Sequence, residues 1–305
     1  MKWLKRGLIY SPSKKIPWMR KYGMAPTPFY LEQLGIIRLF MGVSTIDNYG
    51  STSYVDVKAD DPSQVLFIED KNPVLGLGRP GTFDDCGAVP SCCIEIDGRQ
   101  FLFFIGFQRC VKVPYMLFPG LAISDDGKKF ERFSESPIID RDRHNFFSYA
   151  APCVIFHEGI YKMWLWIGND WLTINKKLFL NASIGYAESK DGIDWKIIHK
   201  DCIVANNQNE FSIGRPWVIH TDGIFKMYYS VRYIKEGYRL GYAESMDGIN
   251  WQRKDEEIGI TVSESGWDSE MICYPSVLNV KGRTYLFYCG NNNGETGFGW
   301  AELVG

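Results

Sequence analysis

Short apolar runs alternate with polar positions along the whole chain, and the runs come in pairs. Segments 25–42, 87–106, 150–168, 214–231 and 273–290 share one pattern: a proline, an apolar stretch, a turn around Gly and an aromatic-rich return stretch. Period-two alternation bounded by turn residues predicts strands, and two such stretches around a Gly turn predict a hairpin. The turns are Asp97-Gly98, Glu158-Gly159, Asp222-Gly223 and Lys281-Gly282. With Pro28, Pro90, Pro152, Pro216 and Pro275 as the repeat prolines, the spacings are 62, 62, 64 and 59 residues.

A second repeated stretch follows the hairpins. Residues 121–133, 184–198 and 240–254 each carry an aliphatic strand, then Ser-x-Asp-Gly, then an aromatic (Phe130, Trp195, Trp251) that opens a fourth strand. Asp-Gly supplies the backbone freedom of a tight turn. Four antiparallel strands in about 60 residues make a propeller blade. The chain ends at Phe298-Gly-Trp-Ala-Glu-Leu303, which matches only a third strand, and begins with Trp3–Tyr10, which matches a fourth strand without a preceding unit. The expectation is an all-β, five-bladed β-propeller over residues 1–305, a single domain with four antiparallel strands per blade. The N-terminal strand completes the last blade and covers an otherwise open edge.

Composition narrows the class. The 305 residues are 45% hydrophobic and 23% charged, with net charge −2, which argues against disorder and against a phosphate-neutralising nucleic-acid binder. Aromatics make up 15%, as suits strands and sites that stack on flat ligands. No signal-peptide run or integral membrane segment is evident, and the eight cysteines form no C-x-x-C pair, so free thiols in the cytoplasm are expected. Gly76-Leu-Gly78-Arg-Pro-Gly81 fits a dinucleotide fingerprint by letter, but no helical period follows it. The four histidines lack metal-site spacing, and neither a metal nor a cofactor is expected.

In a propeller, residues just before the repeat proline converge on the central funnel. Asp84 and Glu210 lie six positions before their prolines, Asp85 and Glu270 five, and Asp268 seven. Arg215 and Tyr274 immediately precede theirs; the third unit offers Asn145, Ser148 and Tyr149, and the first only Tyr22 and Thr27. Grouped carboxylates repel, which raises pKa values toward acid/base work. Glu270 is therefore the expected proton donor, with Glu210 second, and Asp85 or Asp84 the ionised base or stabiliser. Arg215, Tyr274, Asp268, Trp267, Trp171, Asn292, Arg109 and Arg232 are the expected substrate-binding residues, because amides, guanidinium groups and aromatic faces suit a sugar ring.

The Ser-x-Asp-Gly-x-x-Trp turns at 189–195 and 245–251, with the strands Ile184-Gly-Tyr-Ala-Glu188 and Leu240-Gly-Tyr-Ala-Glu244, resemble the five-bladed propellers of the superfamily containing glycoside hydrolase families 43, 32, 68 and 130. Gly81-Thr-Phe-Asp-Asp85 and Ser265-Gly-Trp-Asp-Ser-Glu270 are similar to an uncharacterised bacterial subgroup met in surface-polysaccharide contexts. The resemblance implies glycosidic-bond chemistry in the funnel with a carboxylate base, a carboxylic acid and an assisting acid. It also implies an acid on the first strand of the first blade, where this chain reads Gly23-Met-Ala-Pro-Thr-Pro28. Either the working acids come from blades two, four and five, or the hydrolytic apparatus is incomplete.

Three readings follow. The first is an enzyme acting on glycosidic bonds by hydrolysis, phosphorolysis or transfer. The second is a non-catalytic carbohydrate-binding or assembly propeller, which predicts carboxylates neutralised by Arg and too widely spread for concerted work. The third is a transferase of surface-polysaccharide biosynthesis. The expected partner is a sugar, glycan or nucleotide-linked sugar.

Overall fold

The computed structural model describes residues 1–305. It contains twenty strands in one four-stranded and two eight-stranded sheets; the strands pair antiparallel in groups of four, and single parallel bridges, Gly50 to Gly87 and Ala182 to Ser212, join the first group to the second and the third to the fourth. The first group is β2 (Lys21–Leu31), β3 (Ile36–Ser44), β4 (Gly50–Lys58) and β5 (Asp61–Ile68). The second is β6 (Gly87–Ile96), β7 (Arg99–Arg109), β8 (Tyr115–Ser124) and the short β9 (Glu131–Arg132). The third is β10 (Tyr149–His157), β11 (Ile160–Ile174), β12 (Lys177–Ser189) and β13 (Lys196–Ile203). The fourth is β14 (Glu210–Thr221), β15 (Ile224–Tyr233), β16 (Gly237–Ser245) and β17 (Gln252–Arg253). The fifth is β18 (Cys273–Val280), β19 (Arg283–Cys289), β20 (Phe298–Leu303) and the N-terminal β1 (Trp3–Tyr10). β1 pairs antiparallel with β20, as the incomplete units at the two ends predict.

The expected turns form for the expected reasons. Asp97, Glu158, Asp222 and Lys281 have φ of 49–55°, and the Gly after each has φ of 75–80°. Two consecutive left-handed residues give the turn twist that matches paired strands. In each Ser-x-Asp-Gly turn the Ser hydroxyl accepts the Gly amide at 2.9 Å (Ser124–Gly127, Ser189–Gly192, Ser245–Gly248). Trp195 and Trp251 then donate their indole N–H back to the Gly192 and Gly248 carbonyls. Inward-facing Trp164, Tyr186, Tyr229 and Phe103 are fully buried between groups.

One register feature positions the site. In four units the inner strand bulges by one residue at the proline: Met24 and Thr27, Ala150 and Cys153, Gly214 and Trp217, and Cys273 and Ser276 bracket the slips. The bulged residues Ala25, Ala151, Arg215 and Tyr274 all have φ of 49–55°. Each precedes a proline, so the first unit's equivalent proline is Pro26, not Pro28. The second unit slips between Pro90 and Cys92, and Val89 is absent from the left-handed residues. A bulge re-aims a side chain, and here it does so at equivalent points of four inner strands.

Candidate functional site

The bulged strands meet at a cavity of about 840 Å³. All five pre-proline residues, Ala25, Val89, Ala151, Arg215 and Tyr274, line it, one from each unit. This size suits a small ligand or a few sugar rings. The wall is largely apolar and aromatic, with Tyr22, Phe107, Tyr115, Trp166, Phe179 and Tyr238 around the pre-proline ring. Trp166 seats where Gly214 leaves room: a Cβ there would lie 2.3 Å from the indole Cδ1. Burial pushes the Tyr115 phenol up to about 12 and also raises Tyr238 and Tyr274, so these hydroxyls stay protonated at neutral pH.

Arg215 crosses the floor. Nη1 donates to the Ser91 carbonyl at 2.6 Å, and Nη2 donates to Thr27 Oγ1 at 3.0 Å, so one side chain from the fourth unit ties the second and the first. It is 3% exposed, no carboxylate pairs with it, and its Nε is buried without an acceptor. Burial lowers its pKa, though a guanidinium stays charged. Further out on the neighbouring strand, Arg232 lies 4.6, 5.2 and 5.0 Å from the ring centroids of Phe179, Phe211 and Tyr238. It too lacks a carboxylate within ion-pair distance. At the rim, the β11–β12 hairpin brings Lys176 and Lys177 onto the wall. The wall thus carries four cations and no Asp, Glu or His, in a protein of net charge −2.

Of the twelve residues expected from the sequence, Arg215, Arg232 and Tyr274 line this cavity and the other nine do not. Asp84 is buried, accepts Arg132 Nε at 2.6 Å and Thr82 Oγ1 at 2.9 Å. Asp85 accepts the Gly81 amide at 2.9 Å. Glu210 is held by Arg253 at 2.9 and 3.1 Å and by the Asn206 amide and the Asn207 side chain, both at 3.0 Å. Asp268 accepts Lys5 Nζ at 2.7 Å and the Tyr288 hydroxyl at 3.0 Å. Glu270 is exposed, and its backbone amide donates to Asn291 Oδ1 at 2.8 Å. Asp84, Asp85, Asp268 and Glu270 lie before their inner strands begin at Gly87 and Cys273, and Glu210 opens β14 with its carboxylate turned to Arg253.

The remaining four are engaged elsewhere. Trp267 stacks on Tyr288 with centroids 5.2 Å apart. Trp171 sits behind the wall, edge-on to Tyr115 at 5.3 Å. Arg109 lies over the Tyr49 ring and donates to the Asp47 carbonyl. Asn292 points elsewhere, while its neighbour Asn293 reaches the wall. Lys176 and Lys177 went unforeseen, although the alternation of Trp171-Leu172-Thr173-Ile174 before Asn175-Lys176 marks a long hairpin with a turn at its tip. No group of three or more His, Cys, Asp and Glu side chains is gathered to hold a metal, and no helix is long and apolar enough to cross a membrane.

A Mycobacterium tuberculosis (strain H37Rv) protein described as uncharacterized, Rv1502, is 33% identical over 303 residues, covering 99% of both chains. The chain belongs to the family of Rv1502. A 1,2-beta-oligomannan phosphorylase from Thermoanaerobacter (strain X514) is 26% identical over 159 residues, half of each chain. Among solved structures, one titled "Glycoside hydrolase" superposes with a TM-score of 0.74 at 19% identity, covering 98% of this chain and 90% of that one. A thermostable family-43 glycoside hydrolase does so at 0.67 and 15%, covering 92% and 88%. The fold is therefore that of the family-43 and family-32 type glycoside hydrolases. No family sequence profile matches the chain.

Proposed function

We propose that residues 1–305 form one closed five-bladed propeller whose central cavity recognises a carbohydrate without hydrolysing it. The observation that carries this reading is the wall itself. It offers aromatic faces, hydroxyls and cations that suit a sugar, and no carboxylate or imidazole. Hydrolysis by the usual route needs two carboxyl groups flanking the scissile bond, about 5–5.5 or 6.5–9.5 Å apart. The phenols on the wall stay protonated because burial raises their pKa values, so they hold no basic form at neutral pH. Asp84 and Glu210 each accept an arginine, at 2.6 and 2.9 Å, as the binding-module alternative predicts, and Asp268 accepts Lys5 at 2.7 Å. The fold likeness and the partial similarity to an oligomannan phosphorylase support a carbohydrate ligand.

The test combines binding and turnover. The protein is titrated calorimetrically with manno-, gluco- and galacto-configured oligosaccharides, and the same mixtures are followed for released sugar with and without inorganic phosphate. Saturable binding without release supports the reading. Release that survives Arg232→Met but disappears with Glu270→Gln or Glu210→Gln overturns it.

A further inference from the structure

The charges in the cavity are unbalanced. Buried charges in proteins are ordinarily paired, because an isolated buried ion loses its hydration without compensation. Outside the cavity this chain obeys that rule: Arg38 is paired with Asp56, Arg132 with Asp84, and Arg253 with Glu210 and Asp255. Inside it, Arg215 and Arg232 have no anionic partner. The register places Arg232 opposite Ser212 and Ser230 opposite Gly214, so the two guanidinium-bearing residues lie at successive depths of one wall. Arg215 has both Nη atoms committed to Ser91, Ala25 and Thr27, which leaves its charge and its orphaned Nε. Arg232 is bounded by aromatic faces, which attract its charge but supply no anion.

We infer that the ligand of this cavity carries an anionic group, a phosphate or a carboxylate on the sugar, seated on Arg232 with Arg215 beneath it and Lys176 and Lys177 at the mouth. This rests on the reading of the cavity as a carbohydrate site and adds the chemical class of the sugar. A guanidinium presents paired donors that match both oxyanions. The low-dielectric floor strengthens the attraction relative to water. The rim lysines, being exposed, contribute mainly at low salt.

The experiment uses matched pairs of probes on the full chain. Mannose and glucose monophosphates and UDP-glucose form the phosphate arm, and oligogalacturonate the carboxylate arm. Each is compared with the neutral sugar of the same size at two salt concentrations. At least one anionic probe is expected to bind roughly tenfold or more tightly than its neutral counterpart. Arg232→Met, which keeps an apolar filler among the three rings, is expected to remove that preference. The double variant Lys176→Ser, Lys177→Ser is expected to weaken it severalfold and flatten its salt dependence, which keeps the inference testable should Arg232→Met fail to fold. The arm that shows the preference identifies the anion. Neutral sugars binding as tightly as anionic ones, or a preference that survives both variants, overturns the inference while leaving the carbohydrate reading standing. Failure of every probe to bind overturns both.

Discussion

The cavity wall and the strand entrances that lead into it use charge in opposite ways. At the entrances to the inner strands, Asp84, Glu210 and Asp268 are buried and each has its cation: Arg132, Arg253 and Lys5. On the wall, Arg215 and Arg232 are at least half buried and have none. A buried pair with its hydrogen bonds complete is a structural joint, whereas a buried cation without an anion is the feature on which the proposed anionic ligand rests. On the proposed reading the acids hold the chain in place and the cations seat the ligand. If this contrast is right, changes at the entrances alter stability and spare binding, and changes on the wall do the reverse.

The largest effect is expected from removing residues 1–10. That deletion takes away β1 with its buried Trp3, Ile9 and Tyr10, and it strips Asp268 of Lys5. Each large side chain contributes about 1.5–3 kcal/mol, so melting should fall by about 10 °C or more, or folding should fail. A truncated protein melting within a degree or two of the intact one would refute closure by β1. Next comes Glu210→Gln, which leaves Arg253 with only Asp255. The expected loss is about 3 kcal/mol, at the low end for a broken buried pair, with affinity for the ligand unchanged in denaturant-free buffer. Loss of affinity without loss of stability would place Glu210 in the site after all.

Gly214→Ala sharpens the wall side of the comparison. Its Cβ would press on the Trp166 indole beside Arg215, and overpacking of this kind costs about 1–3 kcal/mol. The displaced ring should weaken sugar binding roughly tenfold, read by titration. The smallest effect is expected at the outer turns. The Lys128 amide holds the Asp126 carboxyl below its ordinary pKa, and the Asp194 amide does the same for Asp191. A depressed folded-state pKa contributes stability that is present above the unfolded value, about 3.9, and is lost as pH falls through the folded value. Asp191→Asn should therefore lower the melting temperature slightly at neutral pH and shrink its fall below about pH 4. An unchanged acid limb would show that the turn's hydrogen bonds are not formed in solution.

The strand pattern was legible because each hairpin carries its own turn chemistry, and Asp-Gly, Glu-Gly and Lys-Gly adopt the left-handed pair that the sequence predicts. The fourth strand of the fifth unit was legible too, since Trp3–Tyr10 matched no other place. The site was harder to read for a geometric reason. Pro26 and Pro28 are two residues apart, and residues two apart on a strand face the same way, so alternation alone could not choose between them; the bulge at Ala25 decides it. Counting back from the proline found Arg215 and Tyr274, because the residue that bulges is the one immediately before it. Asp84, Asp85, Glu210 and Glu270 lie off that wall: Asp84, Asp85 and Glu270 precede their inner strands, and Glu210 opens β14 with its carboxylate held by Arg253.

The most direct test sets one residue from each region against the other in the same titration. Arg232→Met and Glu270→Gln are each titrated with the anionic sugar that the intact chain binds best. The account predicts that Arg232→Met loses roughly tenfold or more in affinity, while Glu270→Gln, altered at an exposed side chain outside the cavity, binds as the intact chain does. Intact binding in Arg232→Met together with loss in Glu270→Gln would contradict it.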